Sequence, residues 1–265
     1  MPYREDPDLP RLLRLRDVLG PPYGSEDICM LLYTLVKREK PERVVELGTG
    51  LGVSTMWMAK ALKENGGGVV LTYDDEREGE KALEVIGGVG QHLPAEVRPA
   101  PGVGLSDYLQ ALFRYAGVDD YIDYRHATLA LGTDQLLPPG ANVGGQIDLL
   151  YSDFSHGPEE VMDVLAYFLP LMSECSSIFI DSASTHLPSY LVLERVIAQL
   201  NAGKVPRRFL EVESKERRWS LFQCVTQRTF RLMHLIERRE RSQNSTAWIR
   251  IEPADWLPHP NAFMH

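Results

Sequence analysis

Short apolar runs alternate with segments of helical periodicity over most of the chain. Five runs of strand length predict β-strands, at residues 43–46, 69–73, 121–125, 147–153 and 177–180. Between the later runs, apolar residues recur at helical spacing, as at Val161, Val164, Leu165 and Phe168. Strands that alternate with helices are typical of a mostly parallel sheet with helices on both faces. The pattern therefore predicts an α/β fold of this kind.

Two stretches in the first part of the chain add to the simple alternation. A helix is predicted from Ser25, as its N-cap, to Lys37, ahead of the first strand. The stretch 77–104 is longer than a crossover connection requires, and we interpret it as an insertion. Either a lid over the substrate or a surface loop with an irregular helix at 80–86 would account for it.

The last third of the chain is predicted to contain the final two strands of the sheet, followed by an extension outside the sheet. Residues 208–212 and 219–225 are predicted as a sixth strand and an antiparallel seventh strand. An amphipathic segment at 227–241 and an aromatic tail with Trp248 and Trp256 follow. Such a tail favours docking on a second subunit or closure over the substrate, and we expect a homodimer. The patterns divide the chain into a helical cap at 1–40, a core at 41–226 with its insertion at about 77–104, and an extension at 227–265.

The most informative stretch follows the first predicted strand. That strand ends in Glu46, and a glycine-rich turn with Gly48, Gly50 and Gly52 leads into a helix. Glycines at alternate positions allow positive φ angles, and the helix start points its positive end at the same place. A dinucleotide-binding Gly-x-Gly-x-x-Gly pattern would need glycine at the position of Val53. The turn is therefore interpreted as a loop for a nucleotide-containing cofactor of another class.

A second acid supports a cofactor that carries a ribose. Asp74 ends the next strand, where a carboxylate can accept hydrogen bonds from two ribose hydroxyls. NAD-dependent enzymes place an acid similarly, so Asp74 alone does not distinguish the two classes of cofactor.

Composition and charge narrow the classes of partner. The 265 residues carry a net charge of −9, which argues against extended contact with nucleic acid phosphates and favours a small-molecule substrate. No apolar run is long enough to cross a membrane, and the amino terminus lacks a secretory pattern, so a cytoplasmic location is expected. The three cysteines are widely spaced and in apolar contexts, which predicts reduced packing residues and neither a zinc site nor disulfides.

From residue 41 to about 226 the chain resembles the class I S-adenosylmethionine (SAM)-dependent methyltransferases, in particular the small-molecule O-methyltransferases similar to catechol O-methyltransferase. The resemblance rests on the segments Glu46-Leu47-Gly48-Thr49-Gly50-Leu51-Gly52-Val53-Ser54-Thr55, Asp74, His126-Ala127-Thr128, Tyr151-Ser152-Asp153 and Ile180-Asp181-Ser182. It implies a Rossmann-like, seven-stranded, mostly parallel sheet with an antiparallel last strand. It also implies SAM as cofactor, bound by Glu46, Gly48, Thr49, Gly50, Gly52, Ser54, Asp74, Ala127, Thr128, Asp153 and Phe154.

Within that resemblance, the metal-dependent members bind Mg²⁺ through two aspartates and an asparagine. Asp153 and Asp181 match the two aspartates, but the third position is Ser182, whose hydroxyl is a weaker ligand for magnesium than an amide oxygen. Mg²⁺ therefore stays open as a second cofactor. The alternative is that Asp153 bonds the amino group of SAM and Asp181 caps its strand.

His156 occupies the position of the catalytic lysine in the metal-dependent members, and we interpret it as the base, with Asp153 beside it. A base is needed chiefly when the acceptor is a hydroxyl that must lose its proton. The expected activity is therefore methyl transfer to a hydroxyl oxygen of a small molecule. Two alternatives stay open: methylation of nitrogen or of a carboxylate in a small molecule or peptide without a metal, and a non-catalytic or NAD-binding protein of the same fold.

Overall fold

The computed structural model describes residues 6–23, 26–77, 79–130, 132, 136–137, 143–183, 187–211, 214–236 and 245–254. The chain forms two compact units, Met1–Ala127 and Thr128–His265. Ser25, the predicted N-cap, and the tail residues after Ala254 lie outside the described residues.

In the described part of the first unit there are three parallel strands and five α-helices. Its elements are α1 Leu9–Tyr23, α2 Glu26–Glu39, β1 Arg43–Leu47, α3 Val53–Asn65, β2 Val69–Asp74, α4 Gly79–Val89, α5 Leu105–Ala116 and β3 Ile122–His126. Strand β2 lies between the other two, with Leu71 opposite Val45 of β1 and Asp123 of β3. Parallel register brings the carboxyl ends of all three strands to one edge of this sheet segment.

The second unit contains four strands and three α-helices among its described residues. Its elements are β4 Ile147–Ser152, α6 Pro158–Phe168, β5 Met172–Asp181, α7 Leu187–Asn201, α8 Lys215–Gln227, β6 Arg228–Ile236 and β7 Ser245–Pro253. Strand β5 pairs in parallel with β4, whereas β7 pairs antiparallel with both β5 and β6. The strand order is β3-β2-β1-β4-β5-β7-β6 in a seven-stranded sheet, which confirms the predicted fold class with its antiparallel last strand.

Both strands predicted after residue 200 are wrong. Residues 207–210 form a short 3-10 turn, and the predicted strand 219–225 lies inside α8. The buried residues of α8, which are Leu221, Cys224 and Val225, recur at helical spacing, and the Ser214 hydroxyl caps the helix by accepting from Arg217 N. The last two strands come instead from the stretch treated as an extension. The proposed domain boundaries at 40 and 226 stay predictions.

Trp248, which the sequence predicts to lie in an aromatic tail, lies in β7. Its ring stacks on Phe179 of β5 with a centroid distance of 5.4 Å, and its indole N–H donates to Ser177. The amphipathic pattern after Gln227 belongs to β6, a strand at the edge of the sheet. The Phe230 side chain of this strand is buried.

The stretch 77–104 contains α4 and two 3-10 turns, and its apolar side chains are packed inside. Ile86, Leu93 and Val97 are buried, and the Tyr108 hydroxyl of α5 donates to Val97 O at 3.0 Å. A surface loop would expose such residues. The role of the stretch as a lid over the substrate stays a prediction.

Cysteine burial and helix length test two further expectations. Cys29 and Cys224 are buried as predicted, but Cys175 is exposed, so its assignment as a packing residue is wrong. All three are free thiols. Within the described ranges, no helix is long and apolar enough to cross a membrane.

A buried lysine fastens the start of the chain to α3. Lys60 is 2% exposed, and its ammonium contacts Asp6, with Asp8 Oδ2 at 3.8 Å and Glu64 Oε1 at 3.3 Å. Lys63 adds an ion pair of 2.6 Å to Asp8 and donates to Gly117 O. Removing one member of such a group leaves carboxylates buried without a counter-charge.

We therefore expect Lys60→Met to lower the free energy of unfolding by about 3 kcal/mol, since Asp6 loses its cation, whereas Asp8 keeps Lys63 and Glu64 keeps Lys37. Urea denaturation at pH 7 measures this, with Lys204→Met, at an exposed position, as the control that should stay within about 0.5 kcal/mol of the parent. Equal destabilisation by both variants would contradict the fastening role.

Candidate active site

The loop after β1 has the backbone that its glycines predict. Gly48, Gly50 and Gly52 have φ angles of 87°, 52° and 70°. A Cβ at Gly52 would lie 2.7 Å from a ring carbon of Phe113, so a larger residue would collide as well as strain the backbone. The loop closes through Gly52 N donating to Thr49 O at 2.8 Å. Its shape therefore depends on these glycines.

Glu46, at the end of β1, supports this loop from inside the protein. It is fully buried, and its carboxylate accepts hydrogen bonds from the hydroxyls of Ser54, Thr55 and Thr72 at 2.6, 2.5 and 2.6 Å. Ser54 and Thr55 begin α3, whereas Thr72 lies in β2. Glu46 and Ser54, both predicted to bind the cofactor, are thus bonded to each other, and direct contact of either with a cofactor stays a prediction.

The pKa of Glu46 is raised to about 7, chiefly by burial and to a smaller extent by the nearby charge of Asp74. The three hydroxyl donors lower the pKa and so oppose part of this rise. Below pH 4.5 the group is protonated in the folded and unfolded states alike. Between pH 4.5 and 7 the unfolded chain is ionised while the folded protein keeps the proton, so stability falls as pH rises.

We therefore expect Glu46→Gln to remove this component of the pH dependence. From pH 4 to pH 8, the unfolding free energy of the parent should fall by about 2–3 kcal/mol relative to that of the variant. Chemical denaturation across that range measures it, and Glu42→Gln, at an exposed residue next to β1, serves as control. Parallel stability curves for parent and Glu46→Gln would contradict the buried, neutral carboxyl.

Asp74 ties the loop to the end of β2. Its Oδ2 accepts from the backbone N–H groups of Thr49 and Gly50 at 2.9 and 3.0 Å, and Oδ1 accepts from Glu76 N at 2.8 Å. Each carboxylate oxygen accepts about two hydrogen bonds, so Oδ2 is fully used by the loop and Oδ1 keeps one acceptor position for a ribose hydroxyl. Buried Ala127 follows β3 and donates through its N–H to Asp74 O.

The first unit thus brings together most residues predicted to bind the cofactor. They are Glu46, Gly48, Thr49, Gly50, Gly52, Ser54, Asp74 and Ala127, all at the carboxyl ends of β1, β2 and β3 or at the start of α3. Thr128, predicted to line the adenine, is exposed and begins the second unit. Half-buried Phe154 also lies in the second unit, directly after Asp153, and its predicted place beside the adenine stays a prediction.

In the second unit, His156 lies between two acidic residues. Its Nδ1 is 3.2 Å from the backbone O of Asp181, and its Nε2 is 3.9 Å from Asp153 Oδ1. A carbonyl oxygen only accepts, so Nδ1 carries the hydrogen and Nε2 is the basic nitrogen of the neutral ring. The side chains of His156 and Asp153 are 19% and 30% exposed.

The Asp181 side chain is held by two hydroxyls. Thr246 Oγ1 donates to Oδ1 at 3.0 Å, and Ser182 Oγ donates to Oδ2 at 2.9 Å. Ser182 is fully buried and has a φ of 53°, in the left-handed region. Its hydroxyl is therefore directed at Asp181 instead of at a ligand.

These contacts bear on the magnesium site implied by the resemblance. The third ligand position holds a buried hydroxyl that donates to Asp181, and Mg²⁺ requires several oxygens in near-octahedral geometry. Among the described residues, no group of three or more His, Cys, Asp or Glu side chains could hold a metal ion. Two aspartates and a buried hydroxyl bonded to one of them fit Mg²⁺ less well than the two aspartates and an asparagine of the metal-dependent members.

Two other histidines lie at or after strand ends, His126 at the end of β3 and His186 beyond β5 in the sequence. His126 is exposed, with its Nε2 3.3 Å from Asp75 O, and His186 lies outside the described residues. The sequence missed Thr72, Thr246 and Ser189, whose hydroxyls support Glu46, Asp181 and the backbone O of His156. No sequence pattern indicated a role for Thr246, because the sequence predicts a tail and not a strand for this part of the chain.

The fold and the glycine loop together define a Rossmann-like cofactor-binding protein. A model of the family described as methyltransferase domain matches residues 45–183, more than half of the chain. The chain therefore belongs to this methyltransferase family.

Solved structures agree on the fold. An O-methyltransferase from Bacillus cereus in complex with S-adenosylhomocysteine (SAH) is 16% identical, with a TM-score of 0.55 over 95% of this chain and 94% of that one. A protein from Klebsiella pneumoniae, provisionally assigned as an O-methyltransferase, is 18% identical, with a TM-score of 0.52 over 95% and 92%. A comparison with curated protein sequences found no significant match.

Proposed function

We propose that this protein transfers a methyl group from SAM to a hydroxyl oxygen of a small molecule, without a metal. The observation that carries the proposal is the orientation of His156, whose Nδ1 hydrogen bond to Asp181 O leaves Nε2 as the basic nitrogen. Methylation of an amine depends less on a base than methylation of a hydroxyl does, because a neutral amine already has a lone pair to donate.

The cofactor is held by the first unit in this proposal. The backbone of the loop around Gly48 and Gly50 contacts the methionine part, and Asp74 binds the ribose hydroxyls. SAM, when bound, would supply a methyl group already activated by its sulfonium, and SAH would be the leaving group once the sulfur–methyl bond breaks. Membership of the methyltransferase family and the support of the loop by Glu46 favour this assignment over NAD.

The second unit acts on the acceptor. His156 Nε2 accepts the proton of the acceptor hydroxyl as the oxygen–methyl bond forms, so the ring becomes a cation. Asp153 Oδ1, 3.9 Å from Nε2, stabilises that charge. The bond from Nδ1 to Asp181 O keeps the ring from rotating, and the Thr246 and Ser182 hydroxyls hold the Asp181 side chain.

We expect His156→Ala to lower kcat by about 100-fold and to remove the acidic limb of the pH–rate profile, since the proton acceptor is lost. SAH formation from SAM, with catechol or 2-naphthol as the acceptor, measures the rate. EDTA should leave the parent rate unchanged. The Kd of SAH should change less than twofold, because His156 is not among the residues proposed to contact the cofactor. His126→Ala, an exposed histidine, is the control.

An unchanged rate and pH profile in His156→Ala would contradict the role of His156. It would then favour methylation of nitrogen or of a carboxylate. Loss of activity on EDTA treatment would contradict the metal-independent reaction.

A further inference from the structure

A tyrosine in β3 bonds the segment that follows Asp74. Tyr124 lies opposite Thr72 in the pairing of β3 with β2, and Thr72 lies opposite Glu46 in the pairing of β2 with β1. Residues in register on neighbouring strands point to the same face of a sheet, so these three polar side chains form one row. Thr72 donates to Glu46, whereas the Tyr124 hydroxyl donates to Glu76 Oε1 at 2.8 Å, beyond the end of β2.

Glu76, the acceptor of this bond, has an unusual backbone conformation. Its φ angle is 55°, in the left-handed region that residues other than glycine rarely adopt. Two hydrogen bonds hold it there: its backbone N–H donates to Asp74 Oδ1 at 2.8 Å, and its side chain accepts from Tyr124. A strained conformation persists only where its surroundings fix it. The Tyr124 hydroxyl is therefore one of the contacts that keep Glu76 in place.

The electrostatics of this segment make the bond from Tyr124 a strong one. Burial raises the pKa of the Tyr124 phenol, and the hydrogen bond to Glu76 and the charges of Glu76, Asp74 and Asp75 raise it further. The phenol thus keeps its proton at neutral pH and donates it to a carboxylate. Asp74 and Asp75 directly precede Glu76, so their like charges would repel a Glu76 side chain that lost this donor.

The position of Glu76 bears on how Asp74 can accept a ligand. Asp74 Oδ2 already accepts from the N–H groups of Thr49 and Gly50, and Oδ1 accepts from Glu76 N. Since a carboxylate oxygen accepts about two hydrogen bonds, Glu76 N occupies one position on Oδ1 and fixes the direction of the other. That remaining position is the one available to a ribose hydroxyl.

We propose that Tyr124 is a positioning residue for the cofactor. It holds Glu76, whose N–H directs the remaining acceptor position of Asp74 Oδ1 towards the ribose, and Tyr124 itself makes no contact with the cofactor. An acceptor that is oriented in advance favours binding, because less has to be ordered when the ligand arrives. The inference rests on the proposed function, which assigns the ribose to Asp74.

Calorimetric titration of the full chain with SAH tests the proposal. Tyr124→Phe removes only the hydroxyl, and we expect its Kd to be about fivefold higher than that of the parent, the size expected for one hydrogen bond. Glu76→Gln keeps an oxygen that can accept from Tyr124, and its Kd should stay within about twofold of the parent. Tyr33→Phe is the matched control, since its hydroxyl donates to Glu64 at 2.8 Å, at the end of α3 remote from the loop, and it should bind like the parent.

A second titration separates positioning of Asp74 from a general loosening of the structure. Because Tyr124 acts through Asp74, Tyr124→Phe should raise the Kd of SAH by less than about twofold when it is introduced into Asp74→Asn. A loss of about fivefold in both backgrounds would overturn the positioning role. If Tyr124→Phe does not fold, Glu76→Ala removes the same hydrogen bond at its acceptor and is measured in its place, with the same results expected.

Equal SAH affinity of the parent and Tyr124→Phe would also overturn the positioning role, while the SAM site would stand. A folded parent that does not bind SAH would overturn the SAM site of the proposed function and this inference with it. Failure of the inference alone is thus distinguished from failure of the function by the affinity of the parent.

Discussion

The buried carboxyl of Glu46 is the interaction on which the cofactor loop depends. It joins the end of β1, the hydroxyl of Thr72 in β2 and the first two hydroxyl side chains of α3. Because both strands and the helix are fixed to one group, the glycine turn between them has little freedom to rearrange. Asp74 then fastens the turn from the outside through two backbone N–H groups. The loop is therefore preorganised by two acids, one buried and one partly exposed.

A second preorganised group supports the proposed chemistry. His156 is oriented by a backbone carbonyl, whose hydrogen bond keeps Nδ1 protonated. The acidic pair that would hold magnesium in metal-dependent relatives is used differently here, because Asp181 accepts hydrogen bonds from Thr246 and Ser182. In the proposed reaction, the His156 base removes the acceptor proton that a metal would otherwise acidify.

Much of the fold could be predicted from the sequence, because local signals and tertiary packing agree as far as β5. Each parallel strand is a short apolar run that ends in a polar residue, and Glu46, Asp74, Asp153 and Asp181 followed from those ends. Agreement fails after residue 200. The segment with Trp219 and Phe222 has a strand-like composition, yet its buried residues recur at helical spacing. Strands β6 and β7 lie towards one edge of the sheet, and only their pairing shows that they are strands. The supporting hydroxyls, such as Thr246, were unpredictable because they come from distant strands.

The central claim is that the Gly48–Gly52 loop and Asp74 form a SAM site, and calorimetric titration of the purified protein with SAH tests it most directly. The account predicts binding of SAH and none of NAD, and a Kd at least tenfold higher for Asp74→Asn, which loses the charge that binds the ribose hydroxyls. The adjacent Asp75→Asn, whose carboxylate pairs with Arg77 at the surface, should bind SAH like the parent. A folded parent protein that binds NAD but not SAH would contradict the account.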